Sequence, residues 1–168
     1  MATEIKPVEP GQSAYLAELE RKSGRASNFF RAMAHKPQVL ERFVPLYSAI
    51  VGPGTVDRRI KELVYLTVSY TNRCAYCTAA HVAGAPRAGI SPDELPALQT
   101  GQDQSFSEAE RAAIQYAREL TQTAAAAGTR AALGRHFSDE QVVEITLVAA
   151  MANFTNRFNN SLEIKPEE

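Results

Sequence analysis

Apolar residues recur along this chain at intervals of three and four, and no extended stretch alternates polar and apolar at period two. That pattern predicts an all-α protein, a compact bundle of about seven to eight helices. Two short helical segments fall at 13–22 and 27–35. Pro37 suits the first turn of a third helix, which runs to about Val51 and stops at Gly52-Pro53-Gly54. The next helix, capped by Thr55, reaches about Tyr70. Its apolar positions Ile60, Leu63, Val64, Leu66 and Val68 are dense enough to predict burial on most sides. Thr71-Asn72 interrupts, and a further helix carries Cys74 to His81, with Gly84 and Pro86 marking its end or a kink.

Three capping boxes follow. Ser91-Pro92-Asp93-Glu94 opens a short helix. Ser107-Glu108-Ala109-Glu110 opens one that runs to the alanines at 124–127 and closes at Gly128. Ser138-Asp139-Glu140-Gln141 opens the last, to about Asn160. Residues 1–12, broken by Pro7, Pro10 and Gly11, read as a flexible N-terminal arm. Residues 13–162 then form one helical domain, and 163–168 a frayed tail. The stretch 62–73 is echoed at 144–157: each runs glutamate, apolar helix, aromatic residue, Thr-Asn-Arg. The echo suggests an internal pseudo-repeat of two helical hairpins.

Length and charge narrow the field. A chain of 168 residues fits one domain with a core large enough to need no staples. The formal net charge of -1 gives no electrostatic case for nucleic acid or an anionic membrane. No apolar run reaches the roughly 18 residues of a membrane helix. The first residues lack the apolar core of a secretory signal. The expectation is a cytoplasmic protein.

The candidate chemistry lies in Thr71–His81, TNRCAYCTAAH, which holds both cysteines and one of the three histidines. Thr78 follows the second cysteine where c-type haem attachment needs histidine. Cys74, Cys77 and His81 supply three of the four ligands of a structural zinc site. His35 and His136, the candidates for a fourth, are distant in sequence. An iron–sulfur cluster usually takes four cysteines. Two small residues filling a core are the plainest alternative. On a helix, however, positions 74, 77 and 81 share one face within about 60°, and Cα atoms three apart lie about 5 Å from each other, close enough for a disulfide. The helix start favours a thiolate there, and Arg73 would add to this if it pointed inward. His81 can take a proton from Cys77, and an imidazole in that role wants an acidic partner. Glu62, within apolar KELVYLTV, is the candidate; the alternative has it facing solvent or pairing with Arg58 or Arg73.

The layout Glu62, eleven residues, Cys74-Ala75-Tyr76-Cys77, three residues, His81 resembles the alkylhydroperoxidase D-like branch of the carboxymuconolactone decarboxylase family. The likeness extends over roughly residues 35–162, through RRIKELVYLTVSYTNRCAYCTAAH, SEAERAAIQYAREL and FSDEQVVEITLVAAMANFTNRF. It implies an all-helical fold assembling into trimers or hexamers, and thiol peroxidase or disulfide-reductase chemistry with no cofactor and no metal. The partners would be a hydroperoxide substrate and an external dithiol or disulfide reductant. Carried over by position, Cys77 is the peroxidatic thiol, Cys74 the resolving one, His81 the proton relay and Glu62 the base. One position departs: the archetype's histidine just before the second cysteine is Tyr76 here, a hydrogen-bonding phenol but a poor base. Two other functions compete. Cofactor-free decarboxylation, the family's namesake, needs no dithiol; a redox-sensing oligomer needs no turnover. Tyr65, Tyr70, Phe154 and Phe158 read as core or subunit interface. Phe29, Phe30 and Met33 could pack over the thiols or between subunits.

Overall fold

The computed structural model describes residues 5–167. The helices are α1 (Ala14–Ser23), α2 (Asn28–Met33), α3 (Pro37–Val51), α4 (Arg58–Thr71), α5 (Ala75–Gly84), α6 (Glu94–Thr100), α7 (Glu108–Thr123), α8 (Ala127–Leu133) and α9 (Asp139–Ser161), with short 3-10 turns between some of them. No strand occurs among the described residues.

Helix α4 is the axis of the molecule. Every residue from Leu63 to Ser69 is buried, as its apolar density predicts. Val64, Tyr65 and Val68 join the larger core, built with α2, α3, α7 and α9. Leu63 and Leu66 face the other way, into a smaller core with Ile90, Leu98, Phe106 and Ile114. Helices α7 and α9 and the following helix α5 pack directly on α4. A helix covered on all sides is a rigid base, so what its ends carry is well positioned.

Two of the three capping boxes form as written, at Ser107/Glu110 and Ser138/Gln141. The third is half made. The Glu94 carboxylate accepts from the Ser91 amide at 2.7 Å, but Asp93 is the residue that precedes the helix. Thr55 does not cap α4. Asp57 does, its carboxylate accepting from the Arg59 amide at 2.8 Å, while the Thr55 hydroxyl donates to Glu144. Helix α7 stops at Thr123, because Ala124 takes a left-handed conformation (φ 58°), and Gly128 lies inside α8 rather than closing α7.

Among the described residues, both terminal segments make contacts with the helical body. In the arm, Val8 donates its amide to the Arg31 carbonyl at 3.1 Å, and His35 bonds the Lys6 carbonyl at 2.8 Å. In the tail, Ile164 packs on the core, and the Glu167 carboxylate accepts from the Asn28 amide at 2.8 Å. Through residue 167 the tail is irregular in backbone and makes these contacts. Specific partners on α2 supply what helix propensity lacks.

Candidate active site

Where α4 ends, the chain turns sharply. Arg73 adopts a left-handed conformation (φ 53°), and the Cys74 amide donates back to the Ser69 carbonyl at 2.9 Å. This turn places Cys74 at the cap of α5, and its Sγ accepts the Cys77 amide at 3.3 Å. A sulfur thus does the work usually given to a serine or aspartate oxygen. Arg73 itself is exposed and lines a separate groove with Gln99 and Arg118, so it does not reach the thiols.

The two sulfurs lie 2.7 Å apart, with Cys74 donating to Cys77. Less than an ångström of travel separates them from a disulfide bond of about 2.0 Å. Both are buried: Cys74 is 0% exposed and Cys77 3%. Only Cys77 lines a cavity, of about 180 Å³, walled by Phe29, Phe30, Tyr47, Tyr65, Tyr76 and His81, with Thr155 and Asn159 at its base. The pair is therefore asymmetric. One sulfur faces a chamber and the other stands behind it.

Charge follows the same asymmetry. The hydrogen bond from Cys74 brings the Cys77 thiol down to about 6. Burial opposes this, while the amides of Asn159 and Asn156 and the charge of His81 assist it. The Cys74 thiol is pushed well up, first by its bond to Cys77 and then by burial. Asn159 donates Nδ2–H to Cys77 Sγ at 3.3 Å from helix α9.

His81 is held from two sides. Its Nδ1 pairs with Glu62 Oε1 at 2.8 Å, and its ring stacks on Tyr65 with centroids 3.7 Å apart. Glu62 therefore meets His81 rather than Arg58 or Arg73. With Nδ1 engaged, Nε2 is the nitrogen available to the thiol chamber. His81 also lines a second, wider cavity of about 630 Å³ on its far side, together with Glu62 and the loop 51–58. That loop is fastened from beneath. Buried Lys61 donates to the Gly52 carbonyl at 2.6 Å and pairs with Glu144, which in turn accepts from Thr55 and Val56. A Cβ on Gly54 would lie 1.9 Å from Glu144 Oε1, so the loop's glycine is what lets the carboxylate in.

The structure thus brings Cys74, Cys77, His81, Glu62 and Tyr76 together and leaves Arg73 outside. Tyr76 borders the chamber but turns its hydroxyl outward, donating to Glu167 at 2.7 Å and accepting from the Phe29 amide at 3.4 Å. Four contributors carry no mark in the motif: Tyr65, Thr155, Asn156 and Asn159. Tyr65 Oη and Thr155 Oγ1 bond at 2.5 Å, and Asn156 donates to Ser69 at 3.3 Å. Thr155, Asn156 and Asn159 are buried polar residues on α9, but with Asn153, Arg157 and Asn160 among them the sequence does not single them out. Among the described residues, no group of three or more His, Cys, Asp or Glu side chains converges to hold a metal ion. No helix among them is long and apolar enough to cross a membrane.

Residues 37–119, about half of the chain and including the whole Glu62–His81 layout, match the model of the carboxymuconolactone decarboxylase family. The chain belongs to that family. Within the carboxymuconolactone decarboxylase family its fold is alkylhydroperoxidase D-like. It superposes on the alkylhydroperoxidase AhpD core of a peroxidase-related protein from Ralstonia eutropha JMP134 with a TM-score of 0.84, at 23% identity over 99% of this chain and 95% of the other. The debrominase Bmp8 is as similar in fold, with a TM-score of 0.85 at 23% identity over 99% of this chain and 94% of its own. In sequence, uncharacterized protein 4 in the cox locus of Paracoccus denitrificans is 29% identical over 55 residues, 33% of this chain. This family member spans 50% of the length of that relative.

Proposed function

We propose that this protein is a thiol-dependent hydroperoxidase in which Cys77 attacks and Cys74 resolves. The observation that carries the reading is the unequal dithiol: one depressed, chamber-facing thiol with a raised, shielded partner 2.7 Å behind it. At neutral pH the Cys77 proton has left through His81, whose imidazole Glu62 orients and stabilises when charged. The thiolate attacks the terminal oxygen of a hydroperoxide. An S–O bond forms, the O–O bond breaks, and the leaving alkoxide takes a proton from His81. Cys77 is now a sulfenic acid, oxidised by two electrons. Cys74 then displaces hydroxide from it, giving the disulfide and, with the Cys74 proton, one water. An external dithiol restores both thiols by exchange. Tyr76 serves in this scheme as wall and tail anchor rather than as a base, since its hydroxyl is committed to Glu167 and burial, then that bond, raises it further.

Self-association belongs to the same reading. Val39 and Leu46 on α3 and Val143, Leu147 and Phe154 on α9 are exposed apolar residues, and Phe43 and Phe154 stack between the two helices. An apolar face of that kind suits a second copy of the chain.

Intact mass after one equivalent of an organic hydroperoxide tests the chemistry. The reduced protein should lose two hydrogens within seconds. Cys77→Ser should not react, and Cys74→Ser should gain one oxygen. A parent protein whose mass stays constant for many minutes would sink the assignment.

A further inference from the structure

Asn159 carries an anomaly. It is 2% exposed, and its Nδ2 serves Cys77, but its Oδ1 is buried with no hydrogen-bond partner among the described residues. An unmatched buried carbonyl costs about 1–3 kcal/mol, and native cores rarely tolerate one without a reason. Asn159 also lines the thiol chamber. Several other polar groups there are already engaged. Tyr65 bonds Thr155, Tyr76 bonds Glu167, and His81 Nδ1 bonds Glu62. Burial pushes the Tyr47 phenol up to about 12, so it stays a neutral hydroxyl. The rest of the wall is Phe29, Phe30, Ala80 and Ser27, whose Oγ accepts from the Phe30 amide. Apart from the His81 Nε2, which takes the Cys77 proton, the chamber's unmatched acceptor is Asn159 Oδ1, buried on the side chain that already touches the reactive sulfur.

We infer that Asn159 positions the substrate, its Oδ1 accepting the terminal O–H of a hydroperoxide while its Nδ2 donates to Cys77 Sγ. The inference rests on the hydroperoxidase reading above. One planar amide edge can serve both atoms, because an Nδ2 hydrogen and Oδ1 lie on the same side of the group. The terminal oxygen is then held beside the sulfur that attacks it. That O–H proton stays on its oxygen throughout. When the S–O bond forms and the alkoxide leaves, the same hydrogen becomes that of the sulfenic acid, and Oδ1 still accepts it. A site built around an O–H donor discriminates against peroxides that lack one, since the acceptor is then left unmatched. The preferred substrates are organic hydroperoxides small and apolar enough for a chamber of about 180 Å³ with aromatic walls.

The test compares two reagents on the same thiolate. Tert-butyl hydroperoxide carries the O–H; methyl methanethiosulfonate attacks thiolates and has no such donor. At pH 8, above the titration of Cys77, the second-order rate with each is measured for the parent and for Asn159→Ala and the near-isosteric Asn159→Leu. The hydroperoxide rate should fall by roughly 10- to 100-fold in either variant, at about 1.4 kcal/mol per tenfold, and the thiosulfonate rate by less than about threefold. Equal losses with both reagents would overturn the inference, making Asn159 a thiolate-stabilising residue only. No loss with either would reduce it to packing. If the parent reacts with the thiosulfonate but not with the hydroperoxide, the hydroperoxidase reading itself fails, and the positioning role with it.

Discussion

At the residue scale, the dithiol is governed by who donates to whom. Cys74 gives its proton's hydrogen bond to Cys77 and receives the helix-start amide; Cys77 receives the Asn159 amide as well. Ultraviolet thiolate absorbance of the reduced protein should therefore titrate with a midpoint near pH 6 and an amplitude of one thiol. Reactivity toward hydroperoxide should rise with pH across the same range and then level off. A midpoint near 8.5, the ordinary value for a free thiol, would show that Cys77 is not activated. Stability is linked to the same proton. The folded value lies below the unfolded one, so the unfolded chain binds more protons between about pH 6 and 8.5 and stability rises with pH there. It fades as pH falls through 6. Above about 8.5 the raised Cys74 works in the opposite sense, because the folded chain then holds the extra proton. Urea midpoints of the reduced protein at pH 5.5, 7.5 and 9.5 should trace that rise and fall, and Cys77→Ser should flatten the rise.

At the scale of elements, the two helices that carry the sequence echo divide the labour. Helices α4 and α9 lie against each other, and each brings a glutamate near its start: Glu62 to His81, and Glu144 to Lys61 one residue before Glu62. The second pair fastens the loop that borders the first. Breaking it strands a lysine that is 5% exposed. Glu144→Gln should cost about 3 kcal/mol in chemical denaturation, and Lys61→Met with Glu144→Leu should recover most of that. A loss under about 0.5 kcal/mol, the scale of an ordinary surface change, would mean the pair contributes nothing to the fold. Much of this was legible in the sequence. The helices, two of three capping boxes, the burial of α4 and the shared face of Cys74, Cys77 and His81 follow from period and spacing, whereas the pairing of Glu62 with His81 was implied by the family resemblance alone. What escaped had long-range causes. Thr55 looks like a cap until Glu144, 89 residues on, claims it. Ala124 ends α7 in a run whose composition favours helix. Asn156 and Asn159 act across a helix pair, and no local pattern says which face of α9 meets the thiols. The docking of Glu167 depends on Asn28 and Tyr76, far away along the chain.

At the scale of the whole molecule, the exposed apolar residues of α3 and α9 make one testable statement. Sedimentation of the parent should give a species larger than one chain, and Leu147→Glu with Phe154→Glu should return it to the monomer. A parent that sediments as a single chain at all concentrations would remove that face from consideration.

His81 divides the molecule into two compartments. One side of its ring borders the small aromatic chamber, and the other, with Glu62, opens on the wide cavity under the fastened loop. The imidazole is thus a partition wall that conducts. On the hydroperoxidase reading, an apolar reactant in one room and a proton arriving at the imidazole from the other would not have to share an entrance. An occupant that plugs the substrate room would leave proton exchange at the imidazole open to solvent from behind.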